Sequence, residues 1–194
     1  MSESLFMQYY DDSKYGSKHG DVILWTSEDT KRAVLFSLVP GSLALCAIAS
    51  FSKEKNLVHW WSTLKKPNWA PKNPAIYGAI DLMTIAPLGY ASYMAYKYGG
   101  GFAYNHTKWA MALYGGSMIC AFITIPLVKG KNYVCFQLFR NSLIMHLTGA
   151  GAAFAFFKIH RKAGWLLVPY ALWTGFYTYL TYCTTSEGSE RSAF

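Results

Sequence analysis

Trp109–Val128 reads WAMALYGGSMICAFITIPLV, twenty consecutive residues without one Asp, Glu, Lys, Arg or His. As a helix, twenty residues extend about 30 Å, the thickness of a bilayer's hydrocarbon core. Four further stretches share this character: Ala33–Phe51, Ala75–Tyr96, Asn141–Phe157 and Trp165–Cys183. The five hold 97 of the 194 residues and a single charge, Asp81, while the other half of the chain carries the remaining 27 charges. A soluble helical bundle cannot segregate charge in this way, because each of its helices needs a wetted face. Barrel strands would alternate polar and apolar residues, and these stretches do not. The expected fold is an all-α membrane protein, a bundle of five transmembrane helices near 33–51, 75–96, 109–128, 141–157 and 165–183. The pattern excludes a soluble enzyme, a nucleic-acid-binding domain and a disordered tail.

The segments between the spans set the expected organisation. Residues 1–32 mix charges, Tyr and Gly and read as a polar, flexible extension, and residues 184–194 as a short polar tail. Residues 1–30 lack the apolar core of a signal peptide, so the first span serves as the insertion signal. The links 97–108, 129–140 and 158–164 are short and make successive helices antiparallel neighbours. Ser52–Pro74 is a longer loop carrying Trp60, Trp61, Trp69, Pro67, Pro71 and Pro74, and loops of that length are usually functional or folded back. Lys and Arg divide nine to nine between the two sides of the membrane, so the charge bias sets no orientation. Pro40, Pro87, Pro126 and Pro169 each fall within a span, where neighbouring helices can satisfy the freed carbonyl. Ala112, Gly116 and Cys120 make a small-residue stripe on the third span, suited to close helix approach within the bundle or in a homodimer.

Residues able to carry chemistry are few. Between Lys55 and Ser186 the one acid is Asp81, so paired-carboxylate catalysis and a carboxylate metal cage have no second member. The histidines (His19, His59, His106, His146, His160) are scattered; His146 alone lies within an apolar run, where a bond to a neighbouring helix is the ordinary role and axial ligation of haem the rarer one. The four cysteines show no C-x-x-C spacing and suggest neither a metal site nor a disulfide framework. Asp81 stands out. An Asp at a helix centre costs about 2.5–3.5 kcal/mol, against about 0.3–0.6 gained from each Leu or Ile, so the second span is marginal alone. Snorkelling, or a bond from Asp81 to a hydroxyl of the first or fifth span, would relieve the cost; an ionisable residue at this depth is also a functional candidate. Trp69, set between prolines, suits a lid presenting a flat apolar surface to a planar ligand, with a membrane anchor as the other reading.

The loop sequence Trp60-Trp61-Ser62-Thr63-Leu64-Lys65-Lys66-Pro67-Asn68-Trp69-Ala70-Pro71 resembles the translocator protein / tryptophan-rich sensory protein family, also called the peripheral-type benzodiazepine receptor family. Leu88-Gly89-Tyr90-Ala91-Ser92-Tyr93 and Val168-Pro169-Tyr170-Ala171-Leu172-Trp173, followed by Phe176, Leu180 and Tyr182, extend the resemblance over residues 33–183. It implies a five-helix protein, in animals usually of the outer mitochondrial membrane, that binds cholesterol and porphyrins between spans one, two, three and five beneath the long loop. Carried over on matching motifs, Trp69, Tyr90, Trp173 and Leu180 become ligand-site residues, with Phe122 keeping one aromatic position of the third span. Pro67 and Pro71 would hold the shape of the loop.

The chain also departs from that pattern. Where the family has W-x-x-L-Y ahead of the Gly-Tyr pair, the aromatic positions here are Asp81 and Ile85. The third span loses an Asn and a Trp, and Tyr177 stands where a small residue is usual. The expectation is therefore a non-catalytic membrane binding protein for hydrophobic planar ligands, sterol or porphyrin and haem, assisting their passage across the bilayer, with no required cofactor and no nucleic-acid partner. A porphyrin-degrading membrane enzyme and a membrane scaffold with a vestigial pocket are the competing readings.

Overall fold

The computed structural model describes residues 25–53, 70–71, 73–129 and 134–191. Among these residues the regular structure is helical: α1 (Ser27–Lys53), α2 (Pro74–Ile85), α3 (Leu88–Tyr98), a 3-10 turn (Gly101–Ala103), α4 (Asn105–Lys129), α5 (Val134–Ile159) and α6 (Arg161–Arg191). The five expected spans are present, the second built from α2 and α3 together. The chain is an all-helical membrane protein. Residues 105–127 and 136–159 are long and apolar enough to cross a membrane on composition alone.

The helices outrun the apolar stretches, because polar residues at a helix end can stay helical in the interfacial water. Ser27–Arg32 belong to α1 and residues 184–191 continue α6. α1 starts at a capping box: the Thr26 amide and hydroxyl both donate to the Asp29 carboxylate at 2.7 Å, and the Asp29 amide donates back to Thr26 Oγ1 at 3.3 Å. Pro40, Pro126 and Pro169 lie inside unbroken helices, whereas Pro87 separates α2 from α3. The turn after α3 needs left-handed backbone at Gly100 (φ 76°) and Gly101 (φ 68°), and the Thr107 hydroxyl closes it by donating to the Gly99 carbonyl at 2.7 Å. Between α5 and α6 only His160 leaves the helix, its ring stacked on Tyr98 at 4.3 Å.

α5 lies along both α4 and α6, α1 packs on α3, α3 reaches α6, and α2 sits between α1 and α6. The center is closed by Leu43, Leu88, Phe156 and Leu167 among alanines that let backbones approach. Outside and inside are inverted relative to a soluble protein. Met83, Trp109 and Leu172 are 76%, 72% and 70% exposed, while Ser117 and Thr174 are fully buried. Only an apolar solvent makes that distribution favourable. The buried hydroxyls and amides join helices: Ser117 to Tyr170 at 2.7 Å, Asn141 to the Cys120 carbonyl and to Thr124 at 2.9 Å, Ser142 to Thr181 at 2.9 Å. A Cβ on Gly116 would lie 3.9 Å from Thr148 of α5, so at Gly116 the small-residue stripe meets a helix of the same chain. His146 faces Thr174 of α6 at 3.2 Å.

At one end of α1 the Asp29 carboxylate also accepts from the Tyr93 hydroxyl and from Lys97 Nζ, each at 2.5 Å. Lys97 lies 5.2 Å over the Trp25 ring, which meets Tyr93 edge-on at 5.7 Å. These contacts clamp the start of α1 to the end of α3. The Lys97 ammonium first, then the Tyr93 and Thr26 donors, hold the Asp29 carboxyl well below the usual carboxylate range. Such a group stabilises the fold fully above the unfolded carboxylate pKa of about 4, and that contribution is lost as pH falls toward the folded value. The gap in thermal midpoint between the parent protein and Asp29→Asn should therefore narrow between about pH 6 and about pH 3. A constant gap would show that the ionised carboxylate contributes nothing.

Between α1 and α3 the backbones come close at Gly89, where a Cβ would fall 2.2 Å from Ser37 Cα and 2.6 Å from its amide nitrogen. Gly89→Ala must push the two helices apart and should cost about 1–3 kcal/mol, read as a lower thermal midpoint in detergent. Ala91, whose neighbours are already side chains of the same core, is the control position for a Gly substitution.

Candidate functional site

The one charge placed at depth in the bundle organises the face where α2 meets α6. On α2, Tyr77, Asp81 and Thr84 recur at helical spacing and so share one side, with Tyr77 and Thr84 buried. On α6, Trp173, Phe176, Tyr177 and Leu180 recur at three- and four-residue intervals and form the opposing stripe. Trp173 and Phe176 stack at 5.1 Å with planes 15° apart, and Tyr77 lies 6.0 Å from Trp173 at 47°. The Trp173 indole nitrogen donates to Asp81 Oδ1 at 2.5 Å, across 92 residues of sequence. This bond supplies the relief that an acid at this depth requires, from an indole of the fifth span rather than from a hydroxyl.

The end of the long loop reaches the same place. Ala70 is buried with Tyr77 and Leu180, and Trp173, Phe176 and Tyr177 pack against that group. The Tyr77 hydroxyl donates to the Pro71 carbonyl at 3.1 Å, fixing the loop end to α2. The result is an aromatic wall, with an apolar base at Leu180 and one carboxylate.

Of the residues expected at a ligand site, Trp173 and Leu180 are brought together here. Trp69 and Pro67 lie outside the described residues, although their neighbours Ala70 and Pro71 touch the cluster. Tyr90 sits on α3, 42% exposed, with its ring 5.5 Å from Trp25 at the interfacial clamp. Phe122 is exposed on α4. Neither belongs to the α2–α6 wall. Sequence reasoning did not select Tyr77 or Phe176, yet a signal existed: Tyr77 is one turn before Asp81 and Phe176 nearly one turn after Trp173. Among the described residues no three of His, Cys, Asp and Glu gather as a metal would require.

An inverted bundle in which an acid of α2 is held by a tryptophan of α6 defines a helical membrane protein. The sequence profile of the TspO/MBR family matches residues 34–186, and the chain belongs to this family. It is 30% identical over 169 residues to the translocator protein of Sus scrofa, covering 82% of this chain and 91% of that protein. It is 28% identical over 151 residues to the translocator protein of Homo sapiens, covering 78% and 86% respectively. A membrane protein of Bacillus subtilis, YtaB, is 29% identical over 129 residues, covering 66% and 79%.

Breaking the Asp81–Trp173 bond from one side leaves a desolvated carboxylate without its indole donor. Trp173→Phe should cost about 1–3 kcal/mol in thermal or denaturant stability, and Asp81→Leu in that background should recover most of it. Additive losses in the double variant would show that the two side chains do not support each other.

Proposed function

We propose that this protein binds flat, largely apolar ligands of the sterol and porphyrin class at the α2–α6 face and assists their passage across its membrane. The observation that carries this reading is the Trp173–Phe176 stack with Tyr77, a ready aromatic face placed under the end of the long loop. A planar apolar ligand gains from such a face by area burial and stacking, with no catalytic group required. Transport is supported by the name that the mammalian relatives bear, translocator protein. The family resemblance supports cholesterol and porphyrin or haem as ligands, Trp69 as the lid over them, and the outer mitochondrial membrane as location. Entry is from the bilayer, between helices. Binding without turnover is the activity that one isolated carboxylate allows.

A scaffold role gains from one observation: Tyr177 packs on the Ala70, Tyr77 and Leu180 group and takes up space a ligand would use. Titration separates the two. The full chain in nanodiscs should show saturable quenching of tryptophan fluorescence by protoporphyrin IX or a fluorescent sterol, and a raised thermal midpoint at saturation. Stabilisation at a ligand concentration of 100 Kd is about 2.7 kcal/mol. Trp173→Leu should weaken binding about tenfold, the equivalent of about 1.4 kcal/mol. Quenching no greater than for an unrelated membrane protein, with no thermal shift by either ligand, would leave the scaffold reading standing.

A further inference from the structure

Asp81 is more than a buried group with a partner. Its Oδ1 accepts from the Trp173 indole, and among the described residues no donor reaches Oδ2. Asp81 lies on the side of α2 shared with Tyr77 and Thr84, the side that meets the aromatic stripe of α6 through Trp173. An acceptor in an apolar surround without a donor is costly, and a ligand that supplies the donor removes that cost. A ligand that brings a second negative charge adds to it, since like charges repel strongly where water does not screen them. Between Lys55 and Ser186 no other acid could play this part.

We propose that Asp81 sets the preference of the site among sterol-like ligands, selecting a rigid apolar ring system that carries one hydrogen-bond donor, an amine above a hydroxyl, and rejecting one that presents a carboxylate at that end; a porphyrin, whose peripheral polar groups are propionates, would bind with these turned away from Asp81. The Trp173 bond acts as the positioning contact: it holds Oδ1 and turns Oδ2 to the ligand. The aromatic wall takes the ring faces and the carboxylate reads the head group. This inference rests on the proposed ligand-binding reading of the same face.

The test uses the full chain in nanodiscs and three steroids of one ring skeleton bearing a 3-amino, a 3-hydroxy or a 3-carboxy group. Each is measured by its displacement of a fluorescent sterol and compared with empty nanodiscs to remove partitioning. The amine should bind at least about tenfold more tightly than the carboxylate, with the hydroxyl between. Asp81→Asn keeps an oxygen for the indole to donate to and removes the charge; the spread should fall to about threefold or less, with the thermal midpoint near that of the parent protein. An unchanged order in Asp81→Asn, or tightest binding by the carboxylate, overturns the preference and leaves binding itself intact. Should no steroid bind while protoporphyrin IX still quenches saturably, the donor preference falls and the binding reading stands. If neither class binds the parent protein, both fall together.

Discussion

Lipid surrounds the waist of this bundle, and a polar group there is costly unless it finds a partner on another helix or on its own. Serine and threonine meet the demand in two ways. Some fold back on the preceding turn, as Thr84 does onto the Ile80 carbonyl, and so vanish as donors. Others reach across, as Thr178 does to the Ser142 carbonyl and Ser117 to Tyr170. The second kind is concentrated among α4, α5 and α6, where Asn141, Ser142 and His146 of α5 each touch a neighbour. Polar contacts of this sort contribute about 0.6 kcal/mol each in a membrane, so their number and spacing matter more than any one of them. They fix rotation and register among helices whose outer surfaces are otherwise interchangeable apolar side chains.

The other side of the bundle is assembled by different means. α1 meets α3 through the absence of a side chain at Gly89 and through the Asp29–Lys97 clamp at the water boundary. α2, divided from α3 at Pro87, is short and lies between α1 and α6. It is tied to α6 by the Asp81–Trp173 bond. A ligand face located there sits where the hydroxyl network is absent and where one side is a half-length helix. Such a junction can part by small movements of α2 without breaking the α4–α5–α6 unit. This is the arrangement expected where a ligand must arrive sideways from lipid.

The bundle was legible in the sequence because the solvent leaves a one-dimensional record: charge removed from twenty-residue windows and kept between them. Helix ends were less so. Thr26 and Asp29 form a standard capping pair, but lying among charges before the apolar run they read as part of a polar extension. Four intramembrane prolines look equivalent on paper, yet only Pro87 interrupts its helix, since the outcome depends on whether neighbours hold the backbone through the missing bond. Asp81 announced that it needed a partner, but the partner lies 92 residues away and became visible only once α2 and α6 were placed together. The aromatic residues show the same limit. Trp173 and Leu180 were found on a motif that also defines a helix face, whereas the outward position of Phe122 depends on how α4 is rotated against α5, which composition does not record.

Trp173 has two surfaces that a ligand could use, the polar N–H and the ring face, and the fold spends the first on Asp81. What remains is the face, already stacked on Phe176 and flanked by Tyr77. An indole so tied cannot rotate to offer its donor without leaving a carboxylate bare in lipid, which makes the ring orientation part of the fold. The division of labour follows. On the proposed reading, attraction at this site would come from ring faces and be indifferent to head-group chemistry, because burial of flat apolar area carries no directional requirement. Discrimination would then fall to the carboxylate oxygen left over after the indole is satisfied. A phenylalanine at position 173 would keep the first property and lose control of the second, since nothing would then fix which oxygen of Asp81 faces the ligand.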